Sequence, residues 1–141
     1  MSNRESYEAS LTKISDLDKS GYQLNSVLAV TEDLTFNEID GPLAGVPILI
    51  KDNIEALGLP ATAGSLALAD TPVVRDSTIA KRLRAAGATI IGSTNLSEWA
   101  NIRSGKSTSG WSAVGGLTAN PWKHAHSAGG SSSGSGAAVG A

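Results

Sequence analysis

Apolar residues recur along this chain at helical spacing in some stretches and as short runs in others, and the order of these patterns predicts an α/β fold. Tyr7, Leu11, Ile14 and Leu17 stand at helical spacing between polar residues, which predicts an amphipathic helix ending at Ser20-Gly21, its stripe packed on a body. A short strand is expected at Val27 to Val30, followed by a polar stretch, Thr31 to Asp40, without periodicity. The turn-rich Gly41-Pro42-Leu43-Ala44-Gly45-Val46-Pro47 then delivers Ile48-Leu49-Ile50, a buried-strand pattern that ends directly on Lys51, Asp52 and Asn53.

Beyond the small, loop-like residues Thr62 to Leu68, Asp76 or Ser77 is placed to cap a helix. Its apolar face is read as Ile79, Leu83 and Ala86, with Lys81, Arg82 and Arg84 turned outward and Gly87 at the C′ position. Ala88 to Gly92 is strand-like, so strand, helix and strand form a βαβ unit whose crossover is expected to be right-handed. Thr94 or Asn95 is expected to start a further short helix through Leu96, Glu98, Trp99 and Ala100, and Arg103 to Pro121 reads as loop. The chain closes on Gly129-Gly130-Ser131-Ser132-Ser133-Gly134-Ser135-Gly136 and the small residues Ala137 to Ala141. This is the pattern of a loop feeding a tightly packed helix start, although composition alone fits a flexible Gly/Ser linker as well.

Composition narrows the function classes. The 141 residues are 40% hydrophobic and 17% charged, enough for one domain with a core, and a net charge of -2 offers no field for nucleic acid or anionic lipid. The absence of cysteine removes disulfides, thiol catalysis and Cys-based metal sites. The polar residues from Met1 to Lys13 contain no signal-peptide core, and no apolar run approaches ~18 residues, so the expected location is cytoplasmic, without a membrane partner.

The chemistry available is therefore built from hydroxyls and a lysine. Lys51 sits at the end of a buried strand, where open α/β sheets bind ligands and where lost solvation favours the neutral amine; a surface lysine paired with Asp52 or a neighbour is the plainer alternative. Gly105-Lys106-Ser107 imitates the end of a phosphate-binding loop, but Ala100 stands where the first glycine is required. His124 and His126 lack a third ligand, and Asn95-Leu96-Ser97 is a formal glycosylation acceptor in a chain without an export signal.

Taken together, Gly41 to Ile54 resembles the lysine motif of the amidase signature family, and Gly129 to Ser135 resembles the first half of its signature. Thr94-Asn95-Leu96-Ser97-Glu98-Trp99-Ala100-Asn101 and Ser109-Gly110-Trp111-Ser112 are most similar to the peptide amidase branch, and the resemblance runs from about Leu11 to Ala141. It implies hydrolysis of linear carboxylic amides by a Ser, cis-Ser, Lys triad on a large single-domain α/β fold with a mixed sheet flanked by helices. By resemblance Lys51 is the general base and Ser131 the bridging serine preceded by a cis peptide, with neither metal nor cofactor. The substrate implied for the full-length protein is a small amide or peptide amide, and the Trp99 and Trp111 motifs favour this over the transamidosome component that acts on glutamyl-tRNA.

Two departures from the family pattern accompany these expectations. The nucleophilic serine would fall beyond Ala141, so residues 1–141 read as a truncated N-terminal part of one amidase domain, inactive alone, and none of Ser132, Ser133 or Ser135 replaces it. A helix found in relatives before the Gly41-Pro42 turn is expected to be missing, with only Glu32 to Asp40 in that interval.

Overall fold

The computed structural model describes residues 3–31, 37–102 and 104–141. The first helix, α1 (Asn3–Lys13), buries Tyr7 and continues into a wider π-helical turn, Ile14–Lys19, closed by Ser20. Leu11, Ile14 and Leu17 are half-buried, so the predicted stripe faces the body along its length. Asp18, inside the turn, is buried; its carboxylate accepts the backbone N–H groups of Ser26 and Val27 and the Ser26 hydroxyl, which fixes the start of the next strand.

That strand is β1 (Val27–Val30), followed by β2 (Pro47–Lys51), α2 (Thr78–Ala85) and β3 (Thr89–Thr94). The sheet order is β1-β3-β2, with β2 parallel and β1 antiparallel to the central β3, so the mixed α/β architecture is as expected. All six residues of β3 are buried. Register places Lys51 opposite Thr94, and Thr94 opposite Val27, so the candidate lysine stands at one end of a row crossing the whole sheet.

The helix between β2 and β3 starts where the sequence places it. Ser77 is the N-cap, its hydroxyl accepting from Ala80 N–H at 3.2 Å. At the other end Gly87 has φ +92°, its N–H reaching Arg84 O at 3.0 Å while Ala88 N–H reaches Leu83 O at 3.1 Å, the paired bonds of a Schellman ending. The apolar face is corrected: Ile79 is 54% exposed, and Ala80 is buried in its place with Leu83 packed beside it. Arg84 is not simply turned outward, since it pairs with Asp76 at 3.2 Å. One core cluster gathers Ile50, Ala56, Leu59, Ala80 and Ile90.

The helix expected from Thr94 or Asn95 through Ala100 does not form. Asn95 to Ser97 continue as buried chain, and the short helical turn Glu98–Asn101 carries Trp99 and Ala100 at φ +51° and +53°, in the left-handed region. Trp99 N–H bonds to Ala63 O at 3.0 Å and Ser97 N–H to Ser131 O at 3.0 Å, so tertiary hydrogen bonds override local helix preference. The loop that follows contains a small hairpin, β4 (Trp111–Ser112) and β5 (Gly116–Leu117), and the chain ends in α3 (Ser133–Gly140). The expected missing helix concerns an interval whose residues 32–36 lie outside the described residues, as do residues 1–2 and 103. Among the described residues no helix is long and apolar enough to cross a membrane.

Candidate active site

Lys51 is the last residue of β2, and the alternation of the strand sends it and Asp52 in different directions. Its Nζ donates to Ser131 Oγ at 2.8 Å, joining residues eighty positions apart. The side chain is half-buried, and lost solvation lowers its pKa from the ordinary lysine value, favouring the neutral amine. In that form the amine can accept the Ser131 proton along the same contact.

Asp52 does not pair with this lysine, contrary to the plainer reading of Lys51-Asp52. It is fully buried, its Oδ2 accepting Thr62 N–H at 3.0 Å and the Thr62 hydroxyl, while its own N–H reaches Thr94 O at 3.1 Å. Burial raises its pKa, and the Thr62 hydrogen bonds oppose that rise without cancelling it. The acid beside Lys51 therefore ties the end of β2 to the Thr62 loop.

Ser131 is presented by the loop that leads into α3, and the Gly130–Ser131 peptide is cis. The loop is seated against the continuation of β3: Ser131 O accepts from Ser97 N–H, and Gly134 N–H donates to Asn95 O, both at 3.0 Å. Gly134 is required by this approach, since a Cβ there would stand 2.3 Å from Ser26 O and 2.5 Å from Asn95 N. The Ser133 hydroxyl meets Thr118 at 3.1 Å, the Ser135 hydroxyl meets Thr94 at 2.8 Å, and Ser132 is exposed. The first two serines therefore secure α3, which is a packed element and not a linker.

The tethering roles of Asn95 and Ser97 are what sequence reasoning missed. The Asn95 amide donates to Asn25 O at 3.0 Å and Gly116 O at 3.1 Å and accepts from Leu96 N–H and the Ser112 hydroxyl, joining the residues just before β1 to the hairpin, while its backbone carbonyl holds Gly134 of α3. Asn95, Leu96 and Ser97 are fully buried, which removes the glycosylation reading. A polar run placed directly after a buried strand was the available signal.

The remaining motifs lie apart from this contact. Lys106 is exposed on a turn, and His124 and His126 are exposed, His124 bonding Tyr22 O at 3.0 Å and meeting its ring edge-to-face. No cluster of three metal-ligating side chains occurs among the described residues. Trp99 and Trp111 are each 39% exposed.

Comparison with known proteins adds a consistent set of relatives. Residues 23–141 match the family described as Amidase. The chain is 44% identical over 130 residues to the A subunit of glutamyl-tRNA(Gln) amidotransferase from Methanococcoides burtonii, covering 89% of this chain and 26% of that protein. It is 42% identical over 123 residues to a putative amidase of Schizosaccharomyces pombe, covering 83% and 21%. The native peptide amidase of Stenotrophomonas maltophilia superposes with a TM-score of 0.93 at 43% identity, covering 99% of this chain and 31% of that one. The chain thus spans between a fifth and a third of the length of these relatives.

Proposed function

The chain belongs to the amidase signature family, and on that premise we propose that Lys51 and Ser131 are the base and the relay serine of an enzyme hydrolysing the carbon-nitrogen bond of linear amides. The observation that carries this reading is the 2.8 Å contact between a desolvated lysine at a strand end and a serine on a glycine loop. Neutral Lys51 takes the Ser131 proton as Ser131 takes one from a nucleophilic serine. That serine attacks the amide carbonyl, and the collapsing tetrahedral intermediate expels the amine, which receives the relayed proton. Water then cleaves the acyl ester by the reverse relay, releasing the acid. Only side chains, backbone donors and solvent take part, and the setting we assign is the cytoplasm.

The nucleophile and its oxyanion donors are assigned to polypeptide outside these 141 residues, in a single amidase domain to which the chain contributes the base and the relay. The substrate class proposed is a small amide or peptide amide, supported by the likeness to the Stenotrophomonas peptide amidase. A second reading, an amidotransferase A-like subunit, draws on the 44% identity to the Methanococcoides protein.

Ammonia release from a panel of primary amides tests the proposal. The 141-residue chain is expected to release none, since a base and relay cannot form the acyl intermediate. A chimera in which it replaces the matching part of the Stenotrophomonas peptide amidase is expected to hydrolyse peptide amides and to lose this with Lys51→Ala. A folded but inactive chimera favours a non-catalytic module, and glutamine as the one accepted amide favours the amidotransferase reading.

A further inference from the structure

Resting on the assignment of Lys51 and Ser131 above, we propose that Ser97 is the positioning residue that holds Ser131 at the lysine. Beyond β3, the alternate residues Asn95 and Ser97 grip the first turn of α3 and the loop ahead of it, through Asn95 O to Gly134 N–H and Ser97 N–H to Ser131 O. Leu96 between them is buried and its N–H is taken by Asn95 Oδ1 at 2.9 Å, so the pair is held at fixed spacing.

The Ser97 side chain acts on the same loop from another direction. Its hydroxyl is buried, accepts Gly110 N–H at 2.8 Å and stands 3.4 Å from Ser109 Oγ. Gly130 fits against these two hydroxyls so closely that a Cβ there would come within 2.5 Å of Ser97 Oγ and 2.8 Å of Ser109 Oγ. Gly110 in turn approaches Gly129, where a Cβ on Gly110 would stand 3.0 Å from Gly129 O. The residue before Ser131 is thus walled by hydroxyls, and the Ser131 carbonyl is fixed by an amide. Both devices pass through Ser97, leaving side-chain rotation as the main freedom by which Ser131 Oγ could leave Lys51.

The 141-residue chain, isotopically labelled at lysine, reports the contact through the Lys51 side-chain resonance, assigned by its loss in Lys51→Arg. Ser131→Ala is expected to displace that resonance; no displacement would defeat the Lys51–Ser131 assignment itself, and this inference with it. Ser97→Pro removes both the N–H and the hydroxyl at a residue whose φ of -66° already suits proline. In that background Ser131→Ala is expected to cause no further displacement. An equal displacement in both backgrounds would overturn the role of Ser97 while leaving the Lys51–Ser131 contact intact. Should circular dichroism show Ser97→Pro unfolded, Ser97→Ala takes its place, since it keeps the N–H and removes only the wall. The displacement is then expected to shrink about twofold or more, and an undiminished one overturns the proposal. A residue that merely supports the fold would lower thermal stability without changing this coupling.

Discussion

Lys51 and Asp52 are adjacent groups for which burial favours the uncharged form, and their stability effects run in opposite directions with pH. The folded pKa of Asp52 is raised, so its contribution is most favourable below the ordinary carboxylate value and is lost as pH climbs through the folded value. Asp52→Asn keeps the shape and an acceptor for Thr62 without the charge. It is expected to raise the melting temperature at neutral pH, with a gain that shrinks toward acid; equal gains at both pH values would remove the titration account. For Lys51 the folded pKa is lowered, so the cost of burying the ammonium is complete below that value and is relieved as pH rises to the ordinary lysine value of 10.5. Lys51→Met should therefore stabilise the chain below that window and flatten its gain on alkalinisation, which thermal melts across pH will read.

At the level of elements, the two glycines in the first turns of α3 are predicted to respond oppositely. Gly134→Ala would drive a methyl into Ser26 O and Asn95 N, an overpacking against backbone that costs about 1–3 kcal/mol or more. Gly136 faces open space, so Gly136→Ala is expected to stabilise by up to about 1 kcal/mol through helix propensity. Chemical denaturation of the two variants separates them, and similar shifts would mean that the loop is not seated on Asn95. Much of this architecture was legible in advance: the βαβ unit, the Ser77 cap, Gly87 and Lys51 at a strand end all follow from local pattern. Ile79 misled because a short helix leaves two readings of its face, and small Ala80 gives little hydrophobic signal. The Thr94 to Ala100 helix misled for a deeper reason, since its residues favour helix locally while Ser97 and Trp99 are claimed by Ser131 and Ala63 from remote parts of the chain. Ala100→Gly tests that correction: at φ +53° it should be tolerated or stabilising, whereas in a right-handed helix it would cost about 1 kcal/mol.

Across the whole molecule, the polar site is better secured than the apolar surfaces around it. The cavity of about 370 Å3 between the α1 turn, the sheet and α3 is lined by Ile14, Leu17, Leu49, Ile91 and Val139. Trp122 and Val139 are 84% and 90% exposed, and within the described three-stranded sheet β1 and β2 are its edges. The isolated chain is accordingly expected to self-associate and bind an apolar dye, and a concentration-independent monomer that leaves the dye unbound would count against this. The central claim is that Lys51, desolvated and joined to Ser131, is the base of amide cleavage, and the pH dependence of acylation in the peptide amidase chimera tests it most directly. The parent rate should rise with a midpoint below the ordinary lysine value. Lys51→Ala should be slower by about 10²–10⁴-fold, and Lys51→Arg should fail similarly because arginine keeps its proton. Near-parental acylation with the same pH dependence in Lys51→Ala would contradict the account.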